Sequence, residues 1–88
     1  MTMNDFLPFL KKMISASGLS GYEEPIRDII REAWEPLTDE LTISRLGSLH
    51  GLKRGQDNTP ARRVLISTHM DAIGMMVTGI EDGFLRIT

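Results

Sequence analysis

The sequence predicts an α/β fold in which two amino-terminal helices pack on a mixed β-sheet. Three observations carry this expectation. Apolar residues recur at helical spacing from Phe6 to Trp34. From Asp39 the pattern changes to short strand-like runs separated by turn residues. A continuous apolar run, Val64-Leu65-Ile66, then leads into Ser67-Thr68-His69-Met70-Asp71. A short run of that kind suits a strand buried on both faces, and helices followed by strands give an α/β or α+β arrangement.

Asn4 or Asp5 is a candidate cap for the first helix, whose stripe is Phe6, Leu10, Met13 and Ile14, widened by Phe9. Pro8 is expected in the first turn, where a missing N–H is tolerated. Lys11 and Lys12 suit the carboxyl end of the helix dipole, and Gly18 is the expected stop. Ser17 to Tyr22 is turn-rich. Ser20-x-x-Glu23 reads as a capping box for the second helix, with a start at Glu24 before Pro25 as the alternative. Ile26, Ile29, Ile30, Ala33 and Trp34 share one face, Arg27, Asp28, Arg31 and Glu32 the other, and Pro36 ends the element.

Leu41 to Ser44 and Leu49 to Arg54 read as strands around the turn Arg45-Leu46-Gly47-Ser48, with Gly51 weakening the second. The short connection predicts antiparallel pairing. Gly55 to Pro60 is a loop on composition. Arg62 to Thr68 is the expected buried strand, and Ile73 to Ile80 is strand-like. Asp82-Gly83, within the turn Glu81-Asp82-Gly83, is a hairpin signal leading to a return strand, Phe84 to Thr88.

Composition narrows the function classes. Eighty-eight residues make one small domain at most, with 41% hydrophobic and 25% charged residues. Below about 70–80 residues a single core rarely supplies more than ~3–5 kcal/mol, and this chain lies barely above that size. A net charge of −2 without a basic stripe argues against nucleic acid. No apolar run approaches the ~20 residues that span a bilayer, so no membrane partner is expected. The start Met1-Thr2-Met3-Asn4-Asp5 lacks the features of a signal peptide. With no cysteine there is no disulfide framework or thiolate metal site, and the expected compartment is the cytoplasm.

His69 and Asp71 are the candidate site. Ligands and catalytic groups collect beyond the carboxyl ends of strands in α/β sheets. A neutral imidazole there can ligate a metal while a carboxylate two residues on takes the other ring N–H. The structural alternative is a simple hydrogen-bonded pair. A metal site needs about three protein ligands. The chain has two histidines, and His50 reads as solvent-facing or satisfied within its strand. Glu23-Glu24 is explained by the helix start. Asp39-Glu40 would point to opposite strand faces and cannot flank one glycosidic bond. Met70, Met75 and Met76 read as core filler.

Thr68-His69-Met70-Asp71-Ala72-Ile73-Gly74-Met75-Met76-Val77 resembles the His-Met-Asp-Glu-Ile-Gly-Phe-Met-Val stretch of the M42 metallo-aminopeptidases. Leu19-Ser20-Gly21-Tyr22-Glu23 with its Ile-rich helix is similar to the family's amino-terminal region. Gly83-Phe84-Leu85-Arg86 is similar to the start of its inserted domain. The resemblance implies a partial phosphorylase/hydrolase-like zinc-exopeptidase domain, with residues 1–74 as the amino-terminal part of the catalytic domain and 75–88 as the start of an inserted β domain. It implies His69 as a metal ligand, Asp71 as the supporting and catalytic aspartate, and two divalent ions, zinc or cobalt, in a complete site. Further ligands and a glutamate general base would lie in the remainder of the catalytic domain. The implied substrate is a peptide with a free amino end, and the implied assembly a homo-oligomer.

Two departures stand out. The family usually shows Asp-x-x-Gly-Asn where this chain has Ser44-Arg45-Leu46-Gly47-Ser48, which removes two polar anchors beside the site. The acid after His-Met-Asp is Ala72. These departures motivate a second expectation, a non-catalytic structural or assembly module with a degenerate metal site. A third, glycoside hydrolysis, rests on the endoglucanase label that some relatives carry. Taken as 88 residues alone, the chain is expected to be inactive.

Overall fold

The structure is a computed structural model, and it describes residues 3–56 and 62–88. Its order is α1 (Met3–Ser15), α2 (Glu24–Trp34), a 3-10 turn (Glu35–Leu37), β1 (Glu40–Ile43), β2 (Leu49–Leu52), β3 (Val77–Glu81) and β4 (Phe84–Ile87). The mixture of helices and strands is as expected, but the single mixed sheet is not. β1 and β2 form one antiparallel pair and β3 and β4 another.

α1 starts differently from the sequence reading, and α2 takes the alternative start at Glu24 before Pro25. Asn4 and Asp5 lie inside α1 and do not cap it, because the helix already includes Met3. Pro8 is therefore past the first turn, and its missing N–H leaves the Asn4 carbonyl without an i+4 donor. The Ser20 capping box does not form. α2 begins at Glu24 with Pro25 in its first turn, and the Glu23 carboxylate accepts the Gly21 N–H at 2.6 Å. A proline-compatible first turn needs fewer donors satisfied, so the carboxylate is free to close the preceding turn instead. At the far end α2 tightens into the 3-10 turn at Pro36, and the Thr38 hydroxyl donates to the Trp34 carbonyl at 2.9 Å.

α2 joins the first hairpin through one close approach. A Cβ at Gly51 would lie 3.0 Å from the Trp34 ring and 3.0 Å from Thr38 Cγ2. The absent side chain that weakens β2 as a strand is thus what lets the indole lie against it. The β1–β2 turn uses Gly47 at φ +90°. Ser44 accepts twice there: its carbonyl from Gly47 N–H at 3.0 Å, its hydroxyl oxygen from Ser48 N–H at 3.1 Å. A serine oxygen thus closes this turn as an Asx oxygen does.

The second hairpin turns at Asp82 (φ 50°) and Gly83 (φ 80°), both left-handed as a two-residue β-turn requires. A register shift between Val77 and Gly79 makes a bulge, and Met76 and Thr88 exchange backbone bonds of 2.9 Å beyond the named strands.

The largest correction concerns Arg62 to Thr68. This segment pairs with no strand among the described residues, and Val64, Leu65 and Ile66 are 83–90% exposed. A run suited to burial on both faces needs ladder partners and two covering layers. The described residues supply neither. The first part of the expected Ile73–Ile80 strand is likewise unpaired up to Met75, which is exposed rather than core filler. Residues 57–60 of the expected loop lie outside the described residues.

Among the described residues, Ile26 is the one buried apolar side chain. The radius of gyration is 17.7 Å, against about 12 Å for a compact domain of this length. The accessible surface is 8220 Å², against about 5200 Å² for a compact protein of this mass. Helices and hairpins are formed, but their apolar faces are mostly uncovered.

Candidate functional site

The segment carrying His69 is held at its carboxyl end by the α1–α2 connector. Ala72 N–H donates to the Gly18 carbonyl at 2.7 Å, and Leu19 and Ala72 form a parallel bridge. The connector is itself closed by Tyr22 N–H donating to the Leu19 carbonyl at 2.8 Å. Gly18 is buried against Ile26, the residue that anchors α2. The chain order therefore runs from core to site: Ile26 seats Gly18, Gly18 holds Ala72, and Ala72 ends the His69-Met70-Asp71 triplet.

Within the triplet, His69 Nδ1 lies 3.0 Å from Asp71 Oδ1 and 3.2 Å from the Asp71 carbonyl oxygen. An ionised carboxylate and a carbonyl only accept, so in the neutral ring Nδ1 carries the proton and Nε2 keeps its lone pair. The His69 side chain is 85% exposed and Asp71's is 41% exposed. Nε2 is thus available to an incoming group, and Asp71 sets the tautomer that makes it available.

Three open clefts meet at His69. One of about 280 Å³ lies between α2 and the β1–β2 turn, with Glu23, Trp34, Leu46 and Ser48 among its walls. A second of about 480 Å³ runs beside Tyr22 towards Gly74 and Thr88. The third, about 250 Å³, is bounded by Met13, Ile14 and Ile26. Glu23, Trp34 and Ser48 share a cleft with His69, which no local pattern announced: these residues come from distant parts of the sequence.

Four other acids, Glu23, Asp39, Glu40 and Glu81, have local partners. Glu23 closes the connector turn. Asp39 accepts the Arg54 N–H, and Glu40 pairs with the Arg54 guanidinium at 2.7 Å. The hydrogen bond and charge of Glu40 hold that guanidinium above its usual pKa. Glu81 pairs with Arg86 at 3.0 Å. His50 lies on β2 opposite Thr42 and is exposed, as expected for a solvent-facing position.

Among the described residues no three His, Asp or Glu side chains converge closely enough to hold a metal ion. A protein metal site takes about three ligands. The residues present fit one ligand with its bracing carboxylate, and the donor set is otherwise incomplete. No described helix is long and apolar enough to cross a membrane.

Comparison with known proteins agrees with the resemblance. The profile of the M42 glutamyl aminopeptidase family matches residues 47–88. A relative from Acetivibrio thermocellus is 39% identical over 89 residues, covering all of this chain and 26% of its own length. A lysyl aminopeptidase from Pyrococcus furiosus is 39% identical over 80 residues, covering 89% of this chain and 22% of its own. The crystal structure of a TET aminopeptidase from a marine-sediment thaumarchaeote superposes with a TM-score of 0.82 at 30% identity, over 97% of this chain and 23% of that one. The chain thus spans about a quarter of the length of these relatives. Since the sequence likeness extends over nearly all of its residues and the backbone follows the same path, the chain belongs to the M42 aminopeptidase family.

Proposed function

We propose that this chain acts as the amino-terminal part of a metal-dependent aminopeptidase that releases residues one at a time from the free amino end of peptides. The observation that supports this most is the His69–Asp71 pair: an exposed imidazole whose Nδ1 is engaged at 3.0 Å and whose Nε2 is open to a cleft. In this reading His69 is a ligand to one of two divalent ions, zinc or cobalt. Such ions, when bound, supply Lewis-acid activation of the scissile carbonyl and of water. Asp71 fixes the ring's tautomer and direction. The remaining ligands and the proton-shuttling carboxylate come from the remainder of the catalytic domain, because the described residues hold no complete donor set.

The same reading divides the chain at 74/75, with residues 1–74 in the catalytic domain and 75–88 opening an inserted β domain. The β3–β4 hairpin, whose strands pair with no other strand among the described residues, supports that division. Self-assembly into a homo-oligomer in the cytoplasm is part of the proposal. The TET aminopeptidase likeness supports the assembly.

The test is hydrolysis of aminoacyl anilides by the full-length protein loaded with zinc or cobalt. Turnover that depends on the added metal and disappears in His69→Ala is the expected result. Full activity in His69→Ala would remove the assignment.

A further inference from the structure

Gly18 and Leu19 hold the chain at two points just after the His69-Met70-Asp71 triplet. At the first, the Gly18 carbonyl accepts the Ala72 N–H at 2.7 Å. At the second, Leu19 covers the Cα of Gly74 so closely that a Cβ there would collide with its Cδ2. The space at Gly18 is fully used. A Cβ built on it would meet Ile26 Cγ2 at 2.7 Å and the Met70 carbonyl oxygen at 3.7 Å. Ile26 is the buried core residue and cannot swing into solvent. An added methyl must therefore move the connector, and with it the backbone that sets where the His69 ring projects.

We infer that Gly18 is a positioning residue for His69, with Leu19 as the second half of the clamp. This rests on the proposed role of His69 as a metal ligand. Gly18 touches no reacting atom. Its carbonyl fixes the chain just after Asp71, and its lack of a side chain lets α2 seat that carbonyl. A ligand displaced by a fraction of an ångström coordinates poorly while the fold around it survives, because helices and hairpins do not depend on this contact.

The experiment is zinc affinity of the full-length protein, measured by competition with a chromophoric chelator, alongside thermal melting. Four variants are compared: His69→Ala, Gly18→Ala, Gly18→Ala with Ile26→Leu, and Leu19→Ala. His69→Ala tests the underlying reading: unchanged zinc affinity there would remove the ligand assignment itself. With that control behaving, Gly18→Ala is expected to weaken zinc by about 10- to 100-fold, the range for residues that orient a ligand. Ile26→Leu withdraws the branching methyl that the new Cβ meets, so the double variant should recover most of the loss. Unaltered affinity in Gly18→Ala, or a loss that Ile26→Leu does not recover, overturns the inference. If Gly18→Ala does not fold, Leu19→Ala decides: weakened zinc supports the clamp, and wild-type affinity overturns it.

Discussion

The Ala72 N–H donates to the Gly18 carbonyl at 2.7 Å, joining the segment that carries the candidate metal ligand to the turn between the two helices. This bond gives His69 a fixed place although the segment before it pairs with no strand among the described residues. The site is therefore carried by the helical half of the chain, through a connector whose composition signalled only a turn.

Asp71 braces the ring through its carboxylate, so removing the charge should cost the ligand its orientation. Asp71→Asn leaves the shape unchanged but offers a neutral amide in place of a charged acceptor. Zinc affinity of the full-length protein should fall by about 10- to 100-fold, with the melting temperature unmoved. An Asn variant with wild-type zinc affinity would show that the 3.0 Å contact has no bearing on the metal.

Gly51 faces the Trp34 ring with no room to spare. Gly51→Ala places a methyl 3.0 Å from the indole and from Thr38. Overpacking of this kind costs about 1–3 kcal/mol. Denaturant unfolding of the full-length variant should show a lower midpoint with an unchanged slope. A midpoint at the wild-type value would mean that α2 does not rest on β2 as described.

Ser44 supplies the oxygen that closes the β1–β2 turn. Ser44→Ala leaves the Ser48 N–H without this acceptor and should cost about 1 kcal/mol. Ser44→Asp restores a side-chain acceptor at the same spacing and should be near neutral. The two variants melting alike would dispose of the turn-closing role.

The 88-residue chain on its own should bind a hydrophobic dye and unfold without a sharp transition. Ordering each residue's backbone costs about 1–2 kcal/mol, and Ile26 is the one apolar side chain buried among the described residues to set against it. Calorimetry and dye fluorescence on the isolated chain check this. A cooperative melt with no dye binding would contradict the uncovered surface seen here.

Local chemistry was legible wherever a residue's neighbours in sequence are also its neighbours in space. The stripe of Ile26, Ile29, Ile30, Ala33 and Trp34 announced α2, and Pro36 its end. Asp82-Gly83 announced the β3–β4 turn, and His69-x-Asp71 announced an imidazole with its carboxylate within reach. Helix starts were less legible. Several acids and a proline compete for the first turn near Glu23, and the choice depends on where the connector already has to be.

The sequence by itself determined the two helices, the two hairpins and the pairing of His69 with Asp71, because periodicity, turn chemistry and a two-residue spacing are local quantities. Only the tertiary structure decided that Gly18 receives Ala72, that Trp34 needs Gly51 bare, and that Val64-Leu65-Ile66 pairs with no strand among the described residues. The physical reason is that burial and ladder hydrogen bonds need a second surface. An apolar run states that it suits such a surface, and only the arrangement in space shows whether one is there.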